Sequence, residues 1–597
     1  MALTDIISPK QAVSLYGLLL ERIRRSPDLP AYESYFADLK QWQSITWGEV
    51  AKQVAKWQST LRKEGLEAGD RVAINLRNCV DWVLFDQAAL SLGLIVVPLY
   101  PDDRPDNVAY ILSDANVKLL LLQNQKQWKS LQASLSDNHE LQTVIIHNHS
   151  DEKLNAPALY EQDWLQDANE PLIADNCIGD ELASIIYTSG TTGRPKGVML
   201  SHQNMLSVAF AASQYIDIFN SDKFLSFLPL SHTLERTAGY YLPMMSGSSV
   251  AYSRGIPQLA EDMLNVKPTV LIAVPRIFER IYDRLNAQLS DKHAIAQMLF
   301  KACKDIGWHK FEYEQGRKKW HPRLMAWPLL EKIIADKVQQ KLGGEMRVIV
   351  SGGAALSQPV AELFIGLGFS LLQGYGLTET SPVIGVNQLE HNFPTSVGRP
   401  IPGVSVKIAA NDELIVNGPG NMLGYWNNPE ATAQIIDNDG WLHTGDQARI
   451  SLSGHIYITG RIKDILVLSN GEKVPPADIE AAILFDDLFE QALVIGEGQA
   501  YLTTLLVLNA DNWPVLAKEY QLDPENEESL TDKALQGEII QRLRTLLSHF
   551  PAYAKIRRVT LFLEPWTIEN DLMTPTMKIK RAKVIEHHQS VIDAMYE

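Results

Sequence analysis

Cysteine is nearly missing from this chain: Cys79, Cys177 and Cys303 are the only three in 597 residues. They are widely spaced and form neither a C-x-x-C pair nor a metal-ligand spacing. That excludes a disulfide framework, fits a reducing compartment and predicts three buried small hydrophobes. Long apolar runs are missing too. The best, Ala88 to Tyr100, is broken by Ser91, Gly93 and Pro98 and falls short of the roughly 20 residues a membrane-spanning helix needs. Met1 to Lys10 lacks a basic segment followed by an apolar core, so no secretory signal is expected and a cytoplasmic location is. Positive charge is in deficit, with 54 Lys and Arg against 71 Asp and Glu and a formal charge of −17. Generic nucleic-acid binding is therefore not expected, and an anionic ligand must be drawn in by a local positive site. Internal repeats and low-complexity tracts are also lacking.

What the chain does have is an alternating strand and helix texture. Its length argues for about three to four domain-sized units. Arg71 to Leu76, Val80 to Leu92 and Leu94 to Leu99 read as strand, helix and strand, a βαβ unit. Short apolar runs at Val117 to Leu122, Thr143 to His147, Thr269 to Val274, Arg347 to Val350 and Phe369 to Leu372 read as strands of largely buried sheets, so the expected fold class is α/β. Ser351-Gly352-Gly353-Ala354-Ala355 and Gly374-Tyr375-Gly376 are expected just after two of these strands, where open α/β sheets bind ligands. After Val404 the β-like pieces shorten and Gly418-Pro419-Gly420 and Asp439-Gly440 interrupt them, which predicts a β-rich subdomain over about 400–459. The division expected is a large domain over 1–459, a hinge at 460–464 and a small α+β domain over 465–597.

The most informative stretch is Tyr187-Thr188-Ser189-Gly190-Thr191-Thr192-Gly193-Arg194-Pro195-Lys196-Gly197-Val198, which follows the apolar run Ala183 to Ile186 and reads as a loop leaving a strand. Gly190, Gly193 and Gly197 permit positive φ and close backbone approach. Thr188, Ser189, Thr191 and Thr192 offer hydroxyls, and Lys196 adds a compact positive charge. Such a composition suits phosphate oxygens. The spacing is not G-x-x-x-x-G-K-[ST], because Gly193 and Lys196 are separated by two residues and Pro195 precedes the lysine.

Downstream stand Leu228-Pro229-Leu230-Ser231-His232, Gln373-Gly374-Tyr375-Gly376-Leu377-Thr378-Glu379-Thr380, Trp441-Leu442-His443-Thr444-Gly445-Asp446, Gly460-Arg461-Ile462-Lys463-Asp464 and Thr574-Pro575-Thr576-Met577-Lys578-Ile579-Lys580-Arg581. In this order, from about Trp47 to Arg581, the set resembles the acyl-adenylate-forming superfamily of acyl-CoA synthetases, luciferase and peptide-synthetase adenylation domains. The resemblance implies ATP bound by Thr188, Ser189, Gly190, Thr191, Thr192, Gly193, Lys196, Gly353, Ala354, Gln373, Gly374, Tyr375, Gly376, Thr378, Asp446 and Arg461. Tyr375 would stack on adenine and Asp446 would accept from both ribose hydroxyls, with Arg461 reaching the same sugar. Thr188 and Glu379 would help to hold Mg²⁺, which favours hard oxygen ligands. His232 would lie at the carboxylate end of an acyl pocket. Lys578 would act between carboxylate and α-phosphate, its register set against relatives that have Gly where this chain has Met577. Rotation about Lys463 would remove Lys578 and bring the loop Ser469, Asn470, Gly471 to the CoA arm.

Thr233 to Pro243, with Glu235-Arg236 at its centre, resembles the long-chain fatty acyl-CoA synthetases more than peptide-synthetase domains. The expected activity is therefore ATP-dependent activation of a long-chain fatty acid through acyl-AMP to acyl-CoA, with AMP and pyrophosphate released. An acyl carrier protein as acceptor, a ligase that stops at acyl-AMP and a non-catalytic acyl- or nucleotide-binding protein are the alternatives. Arg317-Lys318-Lys319-Trp320-His321-Pro322-Arg323, followed by Trp327, interleaves cations with aromatics. It reads as a solvated loop with two packed tryptophans, or as a peripheral membrane contact.

Overall fold

The computed structural model describes residues 4–135, 140–165, 170–188, 194–290 and 292–597. Two large sheets dominate the part before residue 400. One has eight strands in the order 424–425, 196–201, 182–188, 95–98, 71–75, 117–122, 143–146 and 158–160. From 182–188 outward through 158–160 all its neighbours are parallel. The βαβ unit expected at its centre is there, as strand Arg71–Asn75, helix Val80–Ser91 and strand Ile95–Pro98. That helix is buried from Trp82 to Ser91, Asp86 and Gln87 included, as a helix enclosed within a large α/β core must be.

The second large sheet has nine strands in the order 399–400, 383–386, 371–376, 348–351, 270–273, 223–226, 249–252, 30–36 and 41–46. Its parallel centre pairs Phe224 with Val270, Leu271 with Ile349 and Ile349 with Leu371. One expectation fails here. Gly374-Tyr375-Gly376 does not follow a strand but completes Leu371–Gly376, because the parallel ladder ends at the Ser351–Gln373 pair while Gly374 and Tyr375 continue antiparallel against Val386 and Gly385. Gly376 is obligatory at this crossing, since a Cβ there would sit 1.5 Å from the Pro382 carbonyl oxygen.

Beyond residue 400 a four-stranded antiparallel sheet runs in the order 405–408, 413–417, 442–450 and 456–461. Residues 466–595 then build cores of their own around the three-stranded sheet 489–495, 502–508 and 556–562. The central strand Leu502–Leu508 is buried on both faces. Leu502, Leu506 and Leu508 pack into one cluster and Leu505 and Val507 into the other, the alternation a strand's two-residue period imposes. The polar stretch before helix Lys533–Leu546 supplies its cap, since Asp532 accepts from the backbone N–H groups of Ala534 and Leu535.

Candidate active site

The two sheets, the β-rich part and the C-terminal unit converge on a cavity of about 650 Å³. Its wall is polar at one end and apolar at the other. Thr188 and Lys196 reach the polar end from a hairpin, paired directly across strands 182–188 and 196–201. Ser189, Gly190, Thr191, Thr192 and Gly193, which separate these two strands in the sequence, lie outside the described residues. Gly197 serves close packing: a Cβ there would lie 2.7 Å from Ile185 and 3.0 Å from the Tyr187 ring. It is not among the positive-φ glycines, so the conformational freedom expected of it is not what the site uses.

Thr378 and Glu379 stand on the short turn Thr378–Thr380, directly after the strand that carries Gly374, Tyr375 and Gly376, and all of these line the cavity except Thr380. Tyr425 donates its hydroxyl to Glu379 Oε1 at 2.8 Å and lies under the Lys196 ammonium, 5.1 Å from the ring centre. No motif pointed to Tyr425. Its strand is two residues long and finds its place only by pairing with Val198 and Met199. Gly353 takes φ 82° at the end of strand Val348–Ser351 and faces the cavity, with Ala354 exposed beside it. The Gln373 amide is engaged elsewhere, its Oε1 accepting from Leu356 N at 2.9 Å and its Nε2 directed at the Ser396 carbonyl at 3.4 Å. Gln373 thus fixes the 352–356 loop, and its neighbour Gly374 forms the wall.

Asp446 is not in a turn, as the Thr-Gly-Asp pattern suggests, but within strand Leu442–Ile450, paired across the sheet with Arg461. Its carboxylate is buried, accepting from Tyr375 Oη at 2.5 Å on one oxygen and Arg461 Nε at 2.9 Å on the other. The preceding Gly445, at φ 69°, lines the cavity with Thr444 and Arg461. Tyr375 is therefore held at its hydroxyl end, with its ring left along the wall.

The apolar end is one face of the nine-stranded sheet. Phe224, Val270, Ile272 and Val350 occupy alternate positions of neighbouring parallel strands and so point the same way. Ala212 and Ile216, at the end of helix His202–Ser213, and Ala238 and Leu242 close the other side. His232 stands between the two ends. Its Nδ1 accepts from Leu234 N at 3.2 Å, and burial together with the Lys578 charge depresses its pKa to about 4. The imidazole is neutral near pH 7, so Nε2 carries the proton and is a donor.

The Glu235-Arg236 signature turns away from the cavity. Arg236, wholly buried, is paired with Asp86 and donates to Ser184 Oγ at 2.7 Å and Tyr241 Oη at 3.1 Å. Burial alone would lower its pKa, but the Asp86 carboxylate outweighs that and keeps it firmly charged. Glu235 is buried with no ionic partner among the described residues, and burial pushes its pKa up to about 8. Both lie on the π-helical turn Glu235–Tyr241.

From the C-terminal unit, Lys578 enters the cavity on a tight loop in which Lys578 N donates to Thr574 Oγ1 at 3.1 Å. Met577 takes φ 61°, a left-handed conformation that glycine adopts freely, which accounts for the glycine of the relatives' motif at this place. The walls crowd the Lys578 ammonium although it faces the open cavity; this burial and the Arg461 charge lower its pKa, against the opposing pull of Asp446 and Glu379. Lys580 also lines the cavity, but its ammonium is tied to Asp571 at 2.5 Å, and Asp571 bridges to Arg104 of the large unit at 3.1 Å. Lys463 lines the cavity in the turn after strand Ile456–Arg461. Ser469, Asn470 and Gly471 form an exposed loop between the short strands Leu466–Val467 and Lys473–Val474 and contribute nothing to the described cavity wall.

Residues 19–426 match the AMP-binding enzyme family and residues 463–597 match the AMP-binding enzyme C-terminal domain. The chain is 29% identical to the long-chain-fatty-acid–CoA ligase FadD15 of Mycobacterium bovis, over 97% of this chain and 96% of that protein. It is 31% identical to long chain acyl-CoA synthetase 1 of Arabidopsis thaliana, over 92% and 87% of the two chains. Among solved structures, the adenylation domain of a carboxylate reductase from Mycobacterium chelonae shares the fold with a TM-score of 0.77 at 20% identity, covering 98% of this chain and 91% of that one.

Proposed function

As a member of the AMP-binding enzyme family, this chain activates a long-chain fatty acid through acyl-AMP to acyl-CoA, and we propose that His232 and Lys578 serve the first half of that reaction in the cavity described above. One observation carries the assignment: a single cavity joins a polar end bearing Lys196, Glu379, Arg461 and Lys578 to an apolar end bearing Phe224, Val270 and Ile272. Nucleotide and acyl chain then meet where His232 and Lys578 stand. The neutral His232 donates from Nε2 to the acid's carboxylate and orients it for in-line attack on the α-phosphorus. The Lys578 ammonium neutralises charge as the new P–O bond forms and pyrophosphate leaves. Asp446 retains lone pairs for the ribose hydroxyls, and Lys196 and the hairpin hold the outer phosphates.

Mg²⁺ fits the donors present, since the Thr188 hydroxyl and the Glu379 carboxylate, one oxygen of which is already fixed by Tyr425, both face the cavity. These two residues would hold the ion, which supplies charge neutralisation to the phosphates. In the second half-reaction the CoA thiol attacks the acyl carbonyl and AMP departs. Rotation about Lys463 would withdraw Lys578 and bring Ser469, Asn470 and Gly471 to the cavity mouth.

Among the described residues no helix is long and apolar enough to cross a membrane. A peripheral contact is favoured by Trp320 and Met325, which are 54% and 76% exposed beside exposed Lys318, Lys319 and Arg323. Trp327 is buried at 5% exposure, so only one of the two tryptophans packs inside. Supplying the purified protein with Mg·ATP, a series of fatty acids and either CoA or acyl carrier protein, with products identified by mass spectrometry, tests the acceptor. Thioester on CoA supports the reading, and thioester on carrier protein alone overturns it.

A further inference from the structure

The turn ahead of helix Val80–Ser91 carries a second cluster of chemically capable side chains, away from the cavity. Cys79, at the helix N-cap, Asp81, in its first turn, and His147, directly after strand Thr143–Ile146, meet at the carboxyl ends of the parallel strands Arg71–Asn75, Val117–Leu122 and Thr143–Ile146. A ligand atom from each lies within 4.8 Å of the others. Sequence spacing hid the group, because Cys79 and Asp81 are separated from His147 by more than a whole βαβ unit.

The fourth member is Glu161, at the start of helix Glu161–Trp164, whose Oε2 lies 2.7 Å from His147 Nδ1. That contact commits Nδ1 to the carboxylate and leaves Nε2 as the nitrogen available to a cation. Carboxylate-held imidazoles of this kind are the usual arrangement behind a metal-bound histidine, because the carboxylate fixes both tautomer and ring plane. His147 and Glu161 keep 20% and 13% of their side-chain surface exposed, so an ion can reach the cluster from solvent.

We propose that Cys79 Sγ, an Asp81 carboxylate oxygen and His147 Nε2 form a binding site for a borderline-soft divalent cation of the Zn²⁺ class, with Glu161 positioning the histidine. Bond lengths of about 2.3 Å to sulfur and about 2.0 Å to nitrogen or oxygen place neighbouring ligands of a tetrahedral ion about 3.3–3.8 Å apart. Ligand atoms that already lie within 4.8 Å of one another need at most about 1–1.5 Å of approach to reach that spacing. The donor set selects against Mg²⁺ and Ca²⁺, which take oxygen ligands, and favours ions that accept thiolate and imidazole together. Binding expels the thiol proton to solvent and leaves the fourth position to water.

The position gives the site a mechanical reach. Asn78, adjacent to Cys79, donates to Ser226 Oγ at 2.9 Å and to the Leu228 carbonyl at 2.6 Å, and accepts from Leu230 N at 2.9 Å. The turn that would hold the cation therefore anchors the segment leading into His232.

The test uses full-length protein freed of metal by chelation and titrated with Co²⁺, then Zn²⁺. A Co²⁺ ion at this site gives a sulfur-to-metal charge-transfer band and tetrahedral ligand-field bands, saturating at one equivalent and displaced by Zn²⁺. Cys79→Ser should abolish the charge-transfer band, while Glu161→Gln should keep it and weaken affinity by about 10- to 100-fold. Near-ultraviolet circular dichroism of each variant confirms that it is folded. Co²⁺ at Thr188 and Glu379 produces no thiolate band, so the nucleotide site cannot imitate the result. The proposal is overturned if the folded wild type shows no saturable thiolate band, or if the band survives Cys79→Ser.

Discussion

Asp446 and Arg461 face each other across two antiparallel strands, and the Arg461 guanidinium donates from Nε to Asp446 Oδ1 at 2.9 Å. Tyr375 holds the other carboxylate oxygen, so the group assigned to the ribose is fixed at both ends before any nucleotide arrives. Asp446→Ala removes a charged acceptor and frees two donors. It is expected to raise the KM for ATP by about 10- to 100-fold, with the KM for fatty acid little changed. A variant with both constants unaltered would remove Asp446 from the nucleotide site.

Lys578 and Lys580 are two residues apart and both line the cavity, but the Lys580 ammonium is paired with Asp571 while that of Lys578 has no such ion pair among the described residues. Lys578→Ala should slow acyl-adenylate formation by about 10²- to 10³-fold while sparing thioester formation from supplied acyl-AMP, since its charge is needed as pyrophosphate leaves. Lys580→Ala should cost far less. Pyrophosphate release and thioester yield, measured separately, decide the register, and a larger adenylation defect in the Lys580 variant would move the assignment.

Arg104 bridges to Asp571 in the arrangement that places Lys578 in the cavity. Being a partly exposed pair it is worth about 1 kcal/mol or less, so Arg104→Ala should slow adenylation by no more than about fivefold and leave the thioester step unchanged. Lys463→Pro should do the opposite, preserving adenylation and depressing thioester yield by resisting backbone rotation in the turn. Equal loss of both steps in the Lys463 variant would contradict a two-orientation cycle.

The order of motifs and the βαβ unit could be read from the chain because both are local patterns. Long-range pairing decided the rest. Gly374 to Gly376 read as a loop, and only their antiparallel partners at 383–386 make them strand. The Thr444-Gly445-Asp446 turn likewise became a strand once Arg461 lay opposite it. Glu235-Arg236 marked a subgroup by resemblance, but its partner Asp86 is 150 positions away, so its buried structural role had no local signal. Tyr425 gained its place against Glu379 in the same way.

Glu235 supplies a pH test. Its folded pKa of about 8 stands above the ordinary 4.5, so the stability it contributes is full below pH 4.5 and is lost as pH rises toward 8. The loss proceeds at up to about 1.4 kcal/mol per pH unit. Glu235→Gln is neutral throughout and should flatten the fall in Tm over that window. Gly239→Ala should destabilise at every pH, because its Cβ would lie 2.4 Å from Glu235 Oε1. Parallel Tm curves for wild type and Glu235→Gln would show that Glu235 is already ionised in the fold.

The most direct test of a single cavity joining nucleotide to fatty acid is kcat/KM with CoA across even-numbered saturated acids from acetic to eicosanoic, each below its micelle concentration. Each methylene buried on the Phe224–Val270–Val350 face adds about 0.8 kcal/mol, or roughly a fourfold gain, until the cavity ends. Specificity should therefore climb with chain length and level off at about C12 to C18. A maximum at acetate or butyrate, or at an aromatic or amino acid, would contradict the account.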